Sequence, residues 1–294
     1  MIDSFLKFLE YEKRFSQHTL TAYQRDLKQF KSYLLETYEL EDFLQANHAI
    51  LRSWIVSLTE SGVSPTTVNR KIATLKSVFK FLQSREYIDQ NPASRLKPLK
   101  TEKKLPSFVR ENEMVDLLDE INFEFSDDFG GVRDKVLIEL LYCTGIRLSE
   151  LINLQERRVN FFQGTIKVLG KRNKERVIPI SDSFVKVIKE YLQIRNNEFK
   201  NASEFLLVTN TGEKLYPMMV YRTVRAYLSQ VTTLSKKSPH VLRHTFATHL
   251  LDKGADLNAV KDLLGHTSLA ATQVYTHNSM EKLKSAFDLA HPRA

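Results

Sequence analysis

The chain has 294 residues, a length that suggests two domains of ordinary size, each able to bury a real core. Its 42% hydrophobic and 27% charged residues are those of a soluble globular protein, its formal net charge of +8 favours a polyanionic partner, and its single cysteine, Cys143, excludes an internal disulfide. No apolar run is long enough to cross a bilayer, and MIDSFLKFLEYEKRF mixes Asp3, Lys7, Glu10 and Lys13 into its apolar residues, so neither a membrane span nor a signal peptide is expected.

From Ile2 to about Arg14, Phe5, Phe8 and Leu9 recur at helical spacing, and Ser16 is placed to cap a long second helix through Leu35. A third periodic segment runs from about Ala49 to Ser61. Ser64 and Pro65 then supply an N-cap and a first-turn proline for a helix through Arg85, with Val68, Ile72, Leu75, Phe79 and Leu82 as its buried stripe. These segments predict a four-helix bundle over residues 1–90. The polar faces of its second and fourth helices carry Thr19, Tyr23, Arg25 and Lys28, then Thr66, Thr67, Asn69, Arg70, Lys71 and Lys76. Hydroxyl, amide and basic groups mixed in this way suit phosphates and base edges, with an ordinary solvated face as the plainer alternative.

Residues 91–106, NPASRLKPLKTEKKLP, hold three prolines and a basic cluster and are expected to be a linker. The second domain, 107–294, is expected to be mainly helical with a small antiparallel sheet. Its helices fall at about Glu111–Glu120, Val132–Cys143, Ser149–Leu154, Phe184–Arg195 and Pro217–Ser229, and its strands at Arg158–Phe162, Thr165–Leu169 and Glu175–Ile180. Phe205–Val208 is another short apolar piece. Cys143 lies in an apolar helical run and reads as a small core residue in a reducing compartment.

The chemistry-bearing residues are scattered through this second half. In LLYCTGIRLSE a buried helix ends at Gly145, Arg147 follows, and Ser149 and Glu150 open the next helix. Lys171, with Arg172 and Lys174, occupies the turn between the second and third strands. His240 and Arg243 stand three apart, on one face of a helix. A helix from about Asp256 to Leu264 ends at Gly265, with His266 directly after it. Ser268 can cap a last short helix that carries Tyr275. Gly164 to Lys171 looks like a nucleotide-binding loop, but its spacing is one residue too long and Arg172 stands where Ser or Thr is needed. His240 and His244 have the spacing of a zinc pair, but Val241 stands where a zinc peptidase needs Glu, so no metal is expected.

Taken in order, Arg147, Lys171, His240, Arg243, His266 and Tyr275 resemble the tyrosine recombinase (lambda-integrase-like) family, whose pattern is Arg, Lys, His-x-x-Arg, His, Tyr. TGIRLSEL, GKRNKER, HVLRHTFATHLL, LLGH and the terminal HPRA are most similar to its Xer branch, and the resemblance covers nearly the whole chain. It implies an N-terminal core-binding (SAM-like) bundle lying on one side of DNA and a C-terminal catalytic domain. Tyr275 would attack a phosphodiester to hold a 3′-phosphotyrosine, so that bond energy is kept without ATP or another cofactor. Arg147 and Arg243 would hold the non-bridging oxygens and Lys171 would protonate the leaving alkoxide, with His240 and His266 at the phosphate. Glu150 would orient a catalytic group from behind. DNA contacts are expected from Thr19, Tyr23, Arg25, Thr67, Asn69, Arg70, Lys71, Lys76, Arg172 and Lys174.

The resemblance further implies a double-stranded recombination site, a homo- or hetero-tetramer with a sister recombinase, and exchange through a Holliday junction. The tail, Met280–Ala290, would be exchanged between protomers. A DNA translocase is a candidate accessory partner. Resolution of chromosome or plasmid dimers at the nucleoid of a bacterial cytoplasm is the expected role. A phage or mobile-element integrase is the alternative, against which the immediate start of the bundle counts. A DNA-binding protein that has lost the chemistry is the non-enzymatic one.

Overall fold

In a computed structural model, residues 1–102, 107–118, 125–170, 175–200 and 203–265 are described, and they divide between two compact units, Met1–Lys104 and Leu105–Ala294. The expected last helices, with His266 and Tyr275, lie outside the described residues, as do Lys171, Arg172 and Lys174.

The first unit is the helical bundle. Helix α1, Ile2–Lys7, runs into a π-helical turn at Phe8–Glu12. Ser16 caps α2, Gln17–Tyr38, by accepting from the Thr19 N–H, and Asn47 caps α3, His48–Glu60, by accepting from that of Ile50. Helix α4, Pro65–Ser84, starts on the expected proline. Leu27, Phe30 and Leu34 recur on one face of α2 and are fully buried with Phe5, Leu75, Phe79 and, nearly so, Trp54.

One carboxylate is sealed into this unit. Asp26 is 1% exposed and accepts from the Lys71 ammonium at 3.0 Å, the Thr74 hydroxyl at 2.9 Å and Arg70. Lys71, expected among the DNA contacts, is itself 5% exposed, with its ammonium also on Gln29 at 2.5 Å and over the Trp54 ring. A buried carboxylate needs a buried cation, and this demand takes Lys71 off the surface. Arg70 shares the same carboxylate from an exposed position.

The segment 91–106, expected as linker throughout, is held on the bundle as far as Leu99. Ala93 and Leu96 are buried in the bundle's core and Leu99 packs against it. The Asn69 side chain brackets Leu99, accepting from its N–H at 2.7 Å and donating to its carbonyl at 2.9 Å.

In the second unit, α6, Phe129–Thr144, is the central element, buried continuously from Val136 to Thr144. Asp128 caps it by accepting from Gly131 N–H at 2.7 Å. Helix α5, Glu111–Leu118, precedes it and α7, Leu148–Ile152, follows. Strands β1, Val159–Asn160, β2, Thr165–Leu169, and β3, Glu175–Pro179, form an antiparallel sheet in sequence order. Ile166 pairs with Val159 on one side and Ile178 on the other. Strand alternation turns Ile166, Val168, Arg176 and Ile178 inward. Helices α8, Asp182–Glu198, α9, Pro217–Val231, α10, Pro239–Asp252, and α11, Leu257–Leu264, complete the described part, with α8 and α10 packed on α6.

Helix α10 is fixed by polar bonds from its buried face. Thr245 Oγ1 accepts from the Val109 N–H at 3.0 Å, and His249 lies 3.0 Å from both the Val109 carbonyl and the Tyr142 hydroxyl. Burial lowers the pKa of His249, so near neutral pH its uncharged ring donates from Nε2 to Val109 and accepts at Nδ1 from Tyr142. No helix among the described residues is long and apolar enough to cross a membrane.

Candidate active site

Two helix ends build the site. Helix α6 stops at Gly145, in the left-handed region at φ 57°, and α11 stops at Gly265, at φ 63°. A Cβ at Gly145 would sit 2.4 Å from Phe246 Cδ1 and 3.0 Å from Leu264 Cδ2, so the absent side chain lets α6, α10 and α11 converge. The chain leaves the first end into Arg147, the N-cap of α7, and the second into His266.

Three guanidinium groups from three elements meet at the C-terminal end of α11. Arg176, from β3, donates from Nε to the Leu263 carbonyl at 2.7 Å. Arg243, from α10, donates from Nη2 to that of Leu264 at 2.6 Å and from Nη1 to that of Gly145 at 2.5 Å. Arg147 donates from Nη2 to that of Gly265 at 3.1 Å. Three consecutive carbonyls that have no partners within the helix, at the negative end of its dipole, are thereby satisfied by cations.

Glu150 ties the group together. Its side chain is 3% exposed and takes both Nη1 and Nη2 of Arg176, at 2.8 Å each. It also accepts from the Arg147 backbone N–H at 2.7 Å and from Arg147 Nη1 at 2.8 Å. Burial pushes its pKa up, but the bonds and charge of Arg176 and the bonds from Arg147 outweigh that and hold it at about 2. Arg243 is pushed the other way, down to about 10, first by burial and then by the charges of Arg147 and Arg176, with Glu150 opposing. It is still charged near neutral pH.

Among the described residues, two of the five N–H groups on each of Arg147 and Arg243 have partners. Arg147's side chain is 32% exposed. His240, in the first turn of α10 and one turn before Arg243, is exposed. The arrangement suits a tetrahedral oxyanion held between two guanidinium forks with an imidazole beside it.

The structure thus brings together Arg147, Glu150 and Arg243 and places His240 on the same helix as Arg243. Lys171 belongs to the connection between the paired ends Leu169 and Glu175. The residue that sequence reading missed is Arg176. Its signal was present: in ERVIPI, Ile178 of β3 and Ile180 just past its end mark the inward side, and the same alternation puts a charged residue in line with them.

The Phage integrase family matches residues 107–282, and the Phage integrase N-terminal SAM-like domain matches residues 2–86. The chain belongs to the phage integrase family, the tyrosine recombinases. Within it the chain is of the Xer type: it is 37% identical to tyrosine recombinase XerC of Chlorobaculum parvum over 100% of this chain and 94% of that one. To tyrosine recombinase XerD of Staphylococcus saprophyticus it is 34% identical, over 100% and 99%. Among solved structures, a XerH site-specific recombinase in a post-cleavage complex with a palindromic difH substrate shares the fold at a TM-score of 0.74. The identity there is 23%, and the match covers 97% of this chain and 84% of that one. A lambda integrase dimer bound to a core site matches at a TM-score of 0.68 and 18% identity, over 94% and 97%. The helical first unit is accordingly the SAM-like domain and the second the catalytic domain of a tyrosine recombinase, an enzyme that breaks and rejoins DNA.

Proposed function

We propose that the chain cuts and rejoins double-stranded DNA at a specific site through a 3′-phosphotyrosyl intermediate on Tyr275. Convergence of Arg147 and Arg243 on the end of α11, immediately before His266, carries this reading. Segments about a hundred residues apart in sequence supply two charged forks, which suit the non-bridging oxygens of one phosphodiester.

The Tyr275 hydroxyl passes its proton to His240 as its oxygen bonds to phosphorus, the bond to the 5′ oxygen breaks, and Lys171 gives a proton to that oxygen. In rejoining, the 5′ hydroxyl of a second strand gives its proton to Lys171 as it attacks, the phosphotyrosyl bond breaks, and His240 returns a proton to the Tyr275 oxygen. Neither step consumes a phosphoanhydride. His240 and His266 hydrogen-bond the phosphate and the reacting oxygens. The first unit holds the duplex through Thr19, Tyr23, Arg25, Thr67, Arg70 and Lys76, and the second adds Arg172 and Lys174 near the cut. Exchange passes through a Holliday junction in a tetramer with its own copies or a sister recombinase. A DNA translocase assists, and dimeric chromosomes or plasmids are resolved in the cytoplasm, at the nucleoid. XerC and XerD names among the relatives and DNA-bound structural neighbours support this role.

A suicide duplex bearing the recombination site and a nick near the cut tests the chemistry. The parent protein should accumulate a covalent protein–DNA adduct that is absent in Tyr275→Phe; an adduct that persists in the variant refutes the assigned nucleophile.

A further inference from the structure

This inference rests on the recombinase reading and concerns a residue outside the expected set. The Arg176 side chain is 4% exposed, too deep to share the surface at which Arg147 is 32% exposed. All its described bonds are to protein: both oxygens of Glu150 and the Leu263 carbonyl. A carboxylate and a guanidinium alone tend to close into a two-bond fork. Arg176 occupies Glu150 in that way, so only one guanidinium nitrogen of Arg147, Nη1, engages Glu150, while Nη2 reaches the Gly265 carbonyl.

We propose that Arg176 is a positioning residue for strand cleavage: it saturates Glu150 and pins the end of α11, which keeps the remaining N–H groups of Arg147 turned to the scissile phosphate. Without it, Glu150 would draw Arg147 into the fork that Arg176 now makes. The charges of the cluster point the same way. Arg147, Arg176 and Arg243 with Glu150 sum to a net charge of two positive. A phosphodiester brings one negative charge, and attack by a phenolate brings a second. Loss of Arg176 therefore removes a charge that is matched only once the transition state forms, so cleavage falls more than binding.

The experiment is single-turnover cleavage of the suicide duplex at saturating protein, run beside equilibrium binding to an uncut duplex, for Arg176→Met, Arg176→Lys and each combined with Glu150→Gln. Arg176→Met should bind within about threefold of the parent while cleaving slower by on the order of a hundredfold, the scale of an ångström-sized misplacement. Arg176→Lys, which can span neither both carboxylate oxygens nor the carbonyl as well, should recover less than about tenfold of that. Adding Glu150→Gln removes the charge that captures Arg147 and should speed either variant by roughly tenfold. A merely structural Arg176 would make each double variant as slow as its single or slower. Should Arg176→Met not fold, the lysine pair carries the same test. Cleavage by Arg176→Met within threefold of the parent, or lysine-background variants that Glu150→Gln does not speed, overturns the proposal. A parent protein that binds the duplex but forms no adduct overturns the recombinase reading instead.

Discussion

Glu150 shows how one side chain's surroundings become a measurable pH dependence. Its pKa is about 2 in the folded protein against an ordinary 4.5, because two arginines bond the ionised form. Between those values the unfolded chain binds more protons than the folded one, so the contribution is complete above about pH 4.5 and is lost as pH falls towards 2. A shift of that size corresponds to on the order of 3 kcal/mol. Glu150→Gln should therefore be less stable than the parent at pH 7, where Arg176 loses a buried counterion, yet lose less further stability between pH 5 and pH 3. Urea midpoints across that range measure it, and parallel acid limbs for the two proteins would show that Glu150 is not the titrating group. At this scale the sequence was most legible where a residue type has few reasons to stand where it does. Arg147, Glu150 and Arg243 come together as their motifs implied. Lys71 was misread because only the fold reveals the buried Asp26 that it serves.

At the scale of elements, periodicity and capping chemistry located the helices well. Pro65 and Pro217 open α4 and α9, and Gly145 and Gly265 close α6 and α11. Strand β2 falls at Thr165–Leu169 as expected, whereas pairing in the first strand is confined to Val159–Asn160, since Asn160 folds its side chain onto the following turn through Phe162 and Gln163 N–H. Helix α6 begins earlier than its apolar pattern, because Asp128 and Gly131 supply a capped first turn that a hydrophobic count ignores. Gly131 has no room for a Cβ, which would fall 1.9 Å from the Ser126 carbonyl oxygen. Gly145 is the more telling position, because it joins a left-handed backbone to the contact with Phe246. Gly145→Ala should destabilise the catalytic domain by roughly 2–4 kcal/mol, from left-handed strain together with overpacking. It should also slow cleavage more than it weakens binding, because Arg147 lies two residues on. Chemical denaturation and adduct formation read the two effects, and a variant within about 0.5 kcal/mol of the parent would show that the three helices can part without cost.

For the molecule as a whole, composition announced two domains and a basic, proline-bearing segment between them, but not where the first domain lets go of the chain. A linker composition is also compatible with a strap, and three apolar residues among many polar ones decided the matter: Ala93 and Leu96 return to the bundle's core and Leu99 packs against it. Asn69 completes the strap with its two bonds to the Leu99 backbone, using the amide that sequence reading had assigned to DNA. Limited trypsin digestion can locate the release point. Lys97 is followed by Pro98 and resists the enzyme, Arg95 precedes the buried Leu96, and Lys100 is exposed just beyond the bracket. Between the two domains trypsin should cut the parent after Lys100 while leaving the Arg95–Leu96 bond intact, since cleavage requires an open backbone. In Asn69→Ala the bracket is gone, at a cost of about 1–3 kcal/mol to local closure, and cutting after Arg95 should rise about tenfold or more. Mass spectrometry of the early fragments gives the site and rate of each cut. Equal rates after Arg95 in the two proteins would mean that the apolar contacts alone hold the strap and that the Asn69 amide is free for another partner.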